Sequence, residues 1–192
     1  MRTIETERLI LRAWRLEDVD DMYEYAKHPD VGPWAGWEPH SSKEASLKIL
    51  RSFIENDEVW AIELKGNGKV IGSLGIHPDK GRMNDSAKSI GYVLSADYWG
   101  RGLMTEAVKC AIEYAFDDMS IDLLAVYHYP ANARSKRVIE KCGFQYEGTL
   151  RAAQVIYDGQ VLDAVCYSML SSEYLQNVHC PSSHSSRAIT FK

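Results

Sequence analysis

Four shortages in the sequence each exclude a class of protein. Only 4 of the 192 residues are cysteine, and Cys110, Cys142, Cys166 and Cys180 form no Cys-x-x-Cys pair, so reduced thiols with no structural disulfide are expected. Cys110 and Cys166 lie on apolar faces, where a thiol serves as a small hydrophobe. No apolar run approaches the roughly 20 residues that span a bilayer, and Met1-Arg2-Thr3-Ile4-Glu5 lacks the basic start and apolar stretch of a signal peptide. A cytoplasmic protein with no membrane partner is expected. There is no excess of positive charge: the formal net charge is −5, which argues against a nucleic-acid partner and for a cationic one. Internal repeats are absent too. His179, Cys180 and His184 fall short of a tetrahedral ligand set, so no metal is expected.

What is present suits one substantial core, with 45% apolar and 26% charged residues. A single domain over residues 1–175 is expected, followed by a Ser-rich tail over 176–192. Residues 8–13 alternate like a strand, and Val19, Met22, Tyr23 and Ala26 recur at helical spacing until Pro29 and Pro33. Ser41-Ser42-Lys43-Glu44 is a capping pattern, and Leu47, Leu50, Phe53 and Ile54 give its helix an apolar stripe. Strands are expected over 59–64, 70–76 and 88–94, a helix over about 103–117, a strand over 123–129, and a final hairpin of 145–156 with 161–170. The segment 31–40, with Trp34 and Trp37, has too much Gly and Pro for regular structure.

The chemistry concentrates at two strand-to-helix junctions. Trp99-Gly100-Arg101-Gly102-Leu103-Met104-Thr105-Glu106-Ala107 opens a helix with two glycines, so unpaired amides and the positive end of the helix dipole can meet an anion such as a diphosphate. It lacks the Lys-Ser/Thr ending of a P-loop and is too short for the dinucleotide glycine pattern. Asn132-Ala133-Arg134-Ser135 then opens a second helix that ends at Lys141-Cys142-Gly143-Phe144.

Together with Glu7-Arg8-Leu9-Ile10-Leu11-Arg12, these segments resemble the RimJ/RimL-like branch of the GNAT superfamily of acetyl-CoA-dependent N-acetyltransferases, over residues 3 to about 170. The resemblance implies an α/β fold, with a mixed, strongly twisted sheet of about seven strands and helices on both faces. It implies direct acetyl transfer to a primary amine, foremost a protein or peptide N-terminal α-amine. The alternatives are a small amine (polyamine, amino acid or aminoglycoside) or acetyl-CoA binding without catalysis. Acetyl-CoA is the implied co-substrate. A homodimer is compatible with the chain.

By resemblance, the diphosphate would lie on the amides of Gly100, Arg101, Gly102, Leu103, Met104 and Thr105, with Arg101 adding charge. Met104 replaces the family's usual Gly or Ala, and Trp99 its usual Gln or Arg. Val93 and Leu94 sit where the family parts two strands to pair with the pantetheine arm, and Gly91 would suit a bulge there. Asn132 would bond the pantetheine or serve only as an N-cap. Ser135 would assist the leaving thiolate or only satisfy local backbone. The family's basic glutamate corresponds to Gln154, which cannot accept a proton. Glu38, Glu147 and Asp163 are the remaining carboxylates, with Glu38 the candidate base and Glu147 read as structural. Trp34, Trp37 and His40 are the candidate acceptor wall, or else they pack the loop onto the core. Without a carboxylate base, an α-amine is favoured, being about a tenth neutral at pH 7 against under a thousandth for a lysine-type amine.

Overall fold

The computed structural model describes residues 1–179. In chain order its elements are β1 (Ile4–Glu5), β2 (Leu9–Arg12), α1 (Val19–Ala26), α2 (Lys43–Asn56), β3 (Val59–Leu64), β4 (Lys69–Pro78), β5 (Ala87–Leu94), α3 (Leu103–Glu113), β6 (Leu123–His128), α4 (Ala133–Lys141), β7 (Gln145–Val155), β8 (Val161–Leu170) and α5 (Ser171–His179). The eight strands form one sheet in the order β1-β2-β3-β4-β5-β6-β8-β7. Among the described residues, β5 and β6 form the parallel pair and every other neighbouring pair is antiparallel. The eighth strand is the two-residue β1, too short to announce itself by alternation.

Alternation along each strand sends side chains to two cores. Trp60, Ile62, Ile71 and Leu74 join the core that includes Leu103, Ala107, Val108 and Ala111 of α3, whereas Ala61 and Val70 join Met22, Tyr25 and Leu50 of α1 and α2 on the other. Helices therefore cover both faces. The Ser42 hydroxyl accepts the amide of Ala45 and caps α2. Its stripe is narrower than the sequence suggests: Ile54 is exposed, and Ser46 is buried beside Leu50.

Other boundaries shift for local reasons. A π-helical turn over Tyr114–Asp118 carries α3 to its expected end. The strand expected to reach Tyr129 stops at His128. The aromatic segment contains a 3-10 turn, Pro33–Ala35, closed by Gly36 in the left-handed region. Helix α5 crosses the boundary expected at residue 175. Cys180 and His184 lie outside the described residues, as does most of the serine-rich tail. Cys110, Cys142 and Cys166 are free thiols.

Candidate active site

The sheet opens where its parallel pairing stops. Strands β5 and β6 pair from Ala87↔Leu123 to Ile90↔Val126, yet β5 runs on to Leu94 and β6 to His128. Gly91 to Leu94 are thus left without a strand neighbour on that side, and, the Leu94 carbonyl apart, the backbone groups that point there need another partner. No bulge occurs at Gly91, because its register with β4 is unbroken from Gly72↔Leu94 to Pro78↔Lys88. A cavity of about 530 Å³ fills the opening, bordered by Val93, Leu94, Gly100, Gly102, Leu103, Met104, Thr105, Asn132 and Ser135 among others.

At one end of this groove lies the start of α3. Gly100 and Gly102 have φ of 75° and 76°, a conformation costly for residues with a Cβ. Gly102 occupies the N-cap position with no side chain capping it, so the first-turn amides remain available to an anion. The loop is tied down from behind: Arg8 Nη1 donates to the Arg101 carbonyl at 3.0 Å, and Arg8 Nε donates to Glu106 at 2.7 Å. The guanidinium of Arg101 departs from expectation. It donates to the Asp97 carbonyl at 2.7 Å and lies over the Tyr98 ring, and Arg101 is not among the groove's lining residues. Positive charge comes instead from α4, whose Arg134, Arg137 and Lys141 line the groove at spacings of three and four, one helical face. Arg134 is held between rings, 3.9 Å from the Trp99 centroid and 5.4 Å from that of Trp34. Trp99 also donates its indole N–H to the Leu94 carbonyl at 2.9 Å. The unusual Trp99 thus braces the groove. Met104 is buried on its wall.

Asn132 caps α4 through Oδ1, which accepts the Ser135 amide at 3.1 Å, while its Nδ2 donates to the Trp34 carbonyl at 3.3 Å. One N–H remains for a ligand. Ser135 Oγ lies 3.0 Å from the hydroxyl of Tyr92, a residue whose role sequence reasoning missed. Burial pushes the Tyr92 phenol well above its ordinary value, so it stays protonated and able to donate. Open backbone edges, uncapped amides and a cationic helix face together fit an extended, diphosphate-bearing ligand such as acetyl-CoA.

A second cavity of about 380 Å³ adjoins the first, and Ala35, His77, Gly91, Tyr92 and Val93 border both. Trp37 and His40 line this second cavity; the Trp37 ring also packs over Gly32 and lies 5.1 Å from the His40 ring. The His40 imidazole is 2.7 Å from Ser46 Oγ, and burial lowers its pKa. Trp34 belongs to the groove instead. Gln154 lines the groove and accepts from the Tyr129 hydroxyl at 2.9 Å, and Tyr129 in turn presses on Gly36, where a Cβ would come within 2.4 Å of its hydroxyl. Glu38 is exposed and borders neither cavity. Glu147 bonds Arg82 and Ser168, and Asp163 caps the backbone at Ala152, so both serve the fold. His77, the nitrogen base between the cavities, drew no notice in the sequence, where the search for a base was confined to carboxylates. Among the described residues no cluster of His, Cys, Asp and Glu is arranged to hold a metal ion.

Comparison with known proteins agrees with this geometry. Residues 8–145 match the acetyltransferase (GNAT) domain family. The chain is 30% identical over 182 residues to the uncharacterized N-acetyltransferase p20 of Bacillus licheniformis, covering 91% of this chain and 99% of that one. It is 27% identical to the [ribosomal protein uS5]-alanine N-acetyltransferase of Escherichia coli, covering 89% and 92%. In fold it is similar to the crystal structure of a GNAT-family acetyltransferase from Bacillus anthracis, with a TM-score of 0.80, 23% identity, and coverage of 90% and 100%. The groove between parted strands, the uncapped helix start and these relationships lead to one conclusion: the chain belongs to the GNAT family of acetyl-CoA-dependent N-acetyltransferases.

Proposed function

We infer that this acetyltransferase acts on the α-amine of a peptide or protein whose first side chain is apolar. The observation that carries this reading is the chemistry of the second cavity, whose walls include Met22, Tyr25, Trp37, Phe53 and Val59 and no carboxylate. A polyamine or aminoglycoside brings additional ammonium groups, and burying these without an acidic partner is costly. An N-terminal amine brings one charge, which it loses before reaction, and an apolar side chain that such walls favour. One relative bears a name that specifies a ribosomal-protein alanine, which agrees with this class of acceptor.

Acetyl-CoA supplies the acyl group as a thioester. The backbone of Val93 and Leu94 would hold its arm, with the 103–105 amides and the cations of α4 at its phosphates. The Tyr92–Ser135 hydroxyl pair would offer a hydrogen bond to the leaving sulfur as its charge develops. Direct attack by the amine then needs no acyl-enzyme.

The test is a panel of amines scored by free-thiol release, with competition between peptides and small amines. Peptides beginning with Ala or Val should outcompete spermidine and free lysine. Preference for a polyamine would overturn the reading.

A further inference from the structure

We propose that His77, paired with Glu58, is the general base that takes the proton from the acceptor amine. Of the five residues bordering both cavities, His77 alone carries a side-chain nitrogen. Its Nδ1 lies 3.0 Å from Glu58 Oε2. A carboxylate only accepts, so Nδ1 must carry the hydrogen, and the neutral ring presents a lone pair at Nε2. The position of Nε2 is the second observation. A Cβ built on Gly75 would come within 2.5 Å of it and 3.0 Å of Cε1, so the Nε2–Cε1 edge of the ring lies over Gly75. Gly75 pairs across the sheet with Gly91, which borders both cavities and has no neighbour within 4 Å of a built Cβ. The imidazole and Val59 thus cover Gly75, while Gly91 opposite it is left as an open floor between the cavities, and the basic nitrogen stands at the edge of that floor.

The groove's other imidazole cannot do this. His128 has Nδ1 on the Tyr129 carbonyl, its Nε2 is sealed from solvent without a partner, and it does not border the second cavity. The His77 side chain is 41% exposed, which gives a received proton a way out to water.

The step balances simply. The ammonium yields one proton to His77 Nε2 and the freed nitrogen pair forms the C–N bond; the C–S bond then breaks with its electrons leaving on sulfur, and the second proton shed by the new amide nitrogen passes to that sulfur by way of the Tyr92–Ser135 hydroxyl pair, giving the free thiol. Glu58 is a positioning residue, fixing the tautomer and facing the imidazolium.

This assignment rests on the amine occupying the second cavity, and the two ideas can fail separately. His77→Ala should lower kcat/KM for an Ala-initiated peptide about 100-fold, while the Kd for acetyl-CoA by calorimetry stays within about threefold. Added imidazole should restore roughly tenfold of that loss. His77→Gln, which keeps the size of the side chain, should show the same loss without rescue. With 2,2,2-trifluoroethylamine, whose three fluorines leave it largely neutral at pH 7, either variant should lose less than about fivefold, because no proton need be removed before attack. Equal losses with both amines, or no rescue by imidazole, would overturn the base assignment. Val59→Phe should fill the second cavity and raise the acceptor KM alone. An unmoved KM, with the His77 results intact, would overturn the cavity assignment only.

Discussion

Replacing Gly91 by valine is expected to slow acetyl transfer about 100-fold without harming the fold. The residue sits mid-strand with no positive φ, and a Cβ there meets no atom within 4 Å. Folding stability should therefore change by no more than ~0.5 kcal/mol, since a β-branched residue suits a strand better than glycine does. The valine methyls would stand on the floor shared by the two cavities, between acyl carbon and amine. Reacting atoms must approach to about 3–3.5 Å, and displacement by ~1 Å costs about 100-fold. At ~1.4 kcal/mol per decade this is ~2.7 kcal/mol of transition-state stabilisation. The measurements are a thermal melt beside steady-state free-thiol release, with Gly91→Ala as the intermediate case. A folded Gly91→Val enzyme working within about threefold of the parent would refute the idea that reactants meet over Gly91.

Three further outcomes are expected. Gly102→Glu, which adds a carboxylate and a Cβ where φ is 76°, should weaken acetyl-CoA binding by more than tenfold, above about 1.4 kcal/mol, by calorimetry; unchanged affinity would move the diphosphate elsewhere. Ser135→Ala and Tyr92→Phe should each lower kcat by roughly tenfold to a thousandfold, and the double variant should lose much less than the product of the two; independent, multiplying losses would show that the hydroxyl pair does not act as one unit. Burial pushes the Glu106 carboxyl up, but the Thr6 hydroxyl and the Arg8 amide and guanidinium outweigh it and hold the group below its ordinary value. Its contribution to stability is therefore full above about pH 4.3 and lost as pH falls through the lower folded value. Glu106→Gln should be less stable than the parent by ~1–3 kcal/mol at pH 7, and urea unfolding should show the gap closing toward about pH 3; a constant gap would contradict the assignment.

Much of the fold was legible because it follows from periodicity and turn chemistry. The hairpin at Lys65 to Lys69, the cap at Ser42 and the glycine pair before α3 are local signals, and each is read within about five residues. The site was legible only where it too is local. The capping role of Asn132 and the cationic face of α4 depend on spacings of three and four, although the latter was overlooked. The orientation of Arg101 was not legible, because its guanidinium prefers a nearby carbonyl and ring to an open loop. Nor was the hydroxyl pair of Tyr92 and Ser135, 43 residues apart, or the position of His77. That position depends on strand pairing between β4 and β5 and on Glu58, 19 residues upstream.

The two cavities are supplied by different stretches of chain. The second is walled almost wholly by residues 22–77, whereas the groove draws chiefly on residues 89–141, and five residues border both. With the acceptor in the second cavity, as proposed, a substitution at Met22, Phe53 or Val59 should reshape what is accepted without touching the loop or helix that faces the donor. On the proposed acceptor site, chimeras that swap α1 and α2 between relatives, leaving Trp34 in place against Arg134 and Asn132, should carry acceptor preference with them while donor affinity stays with the carboxyl-terminal part.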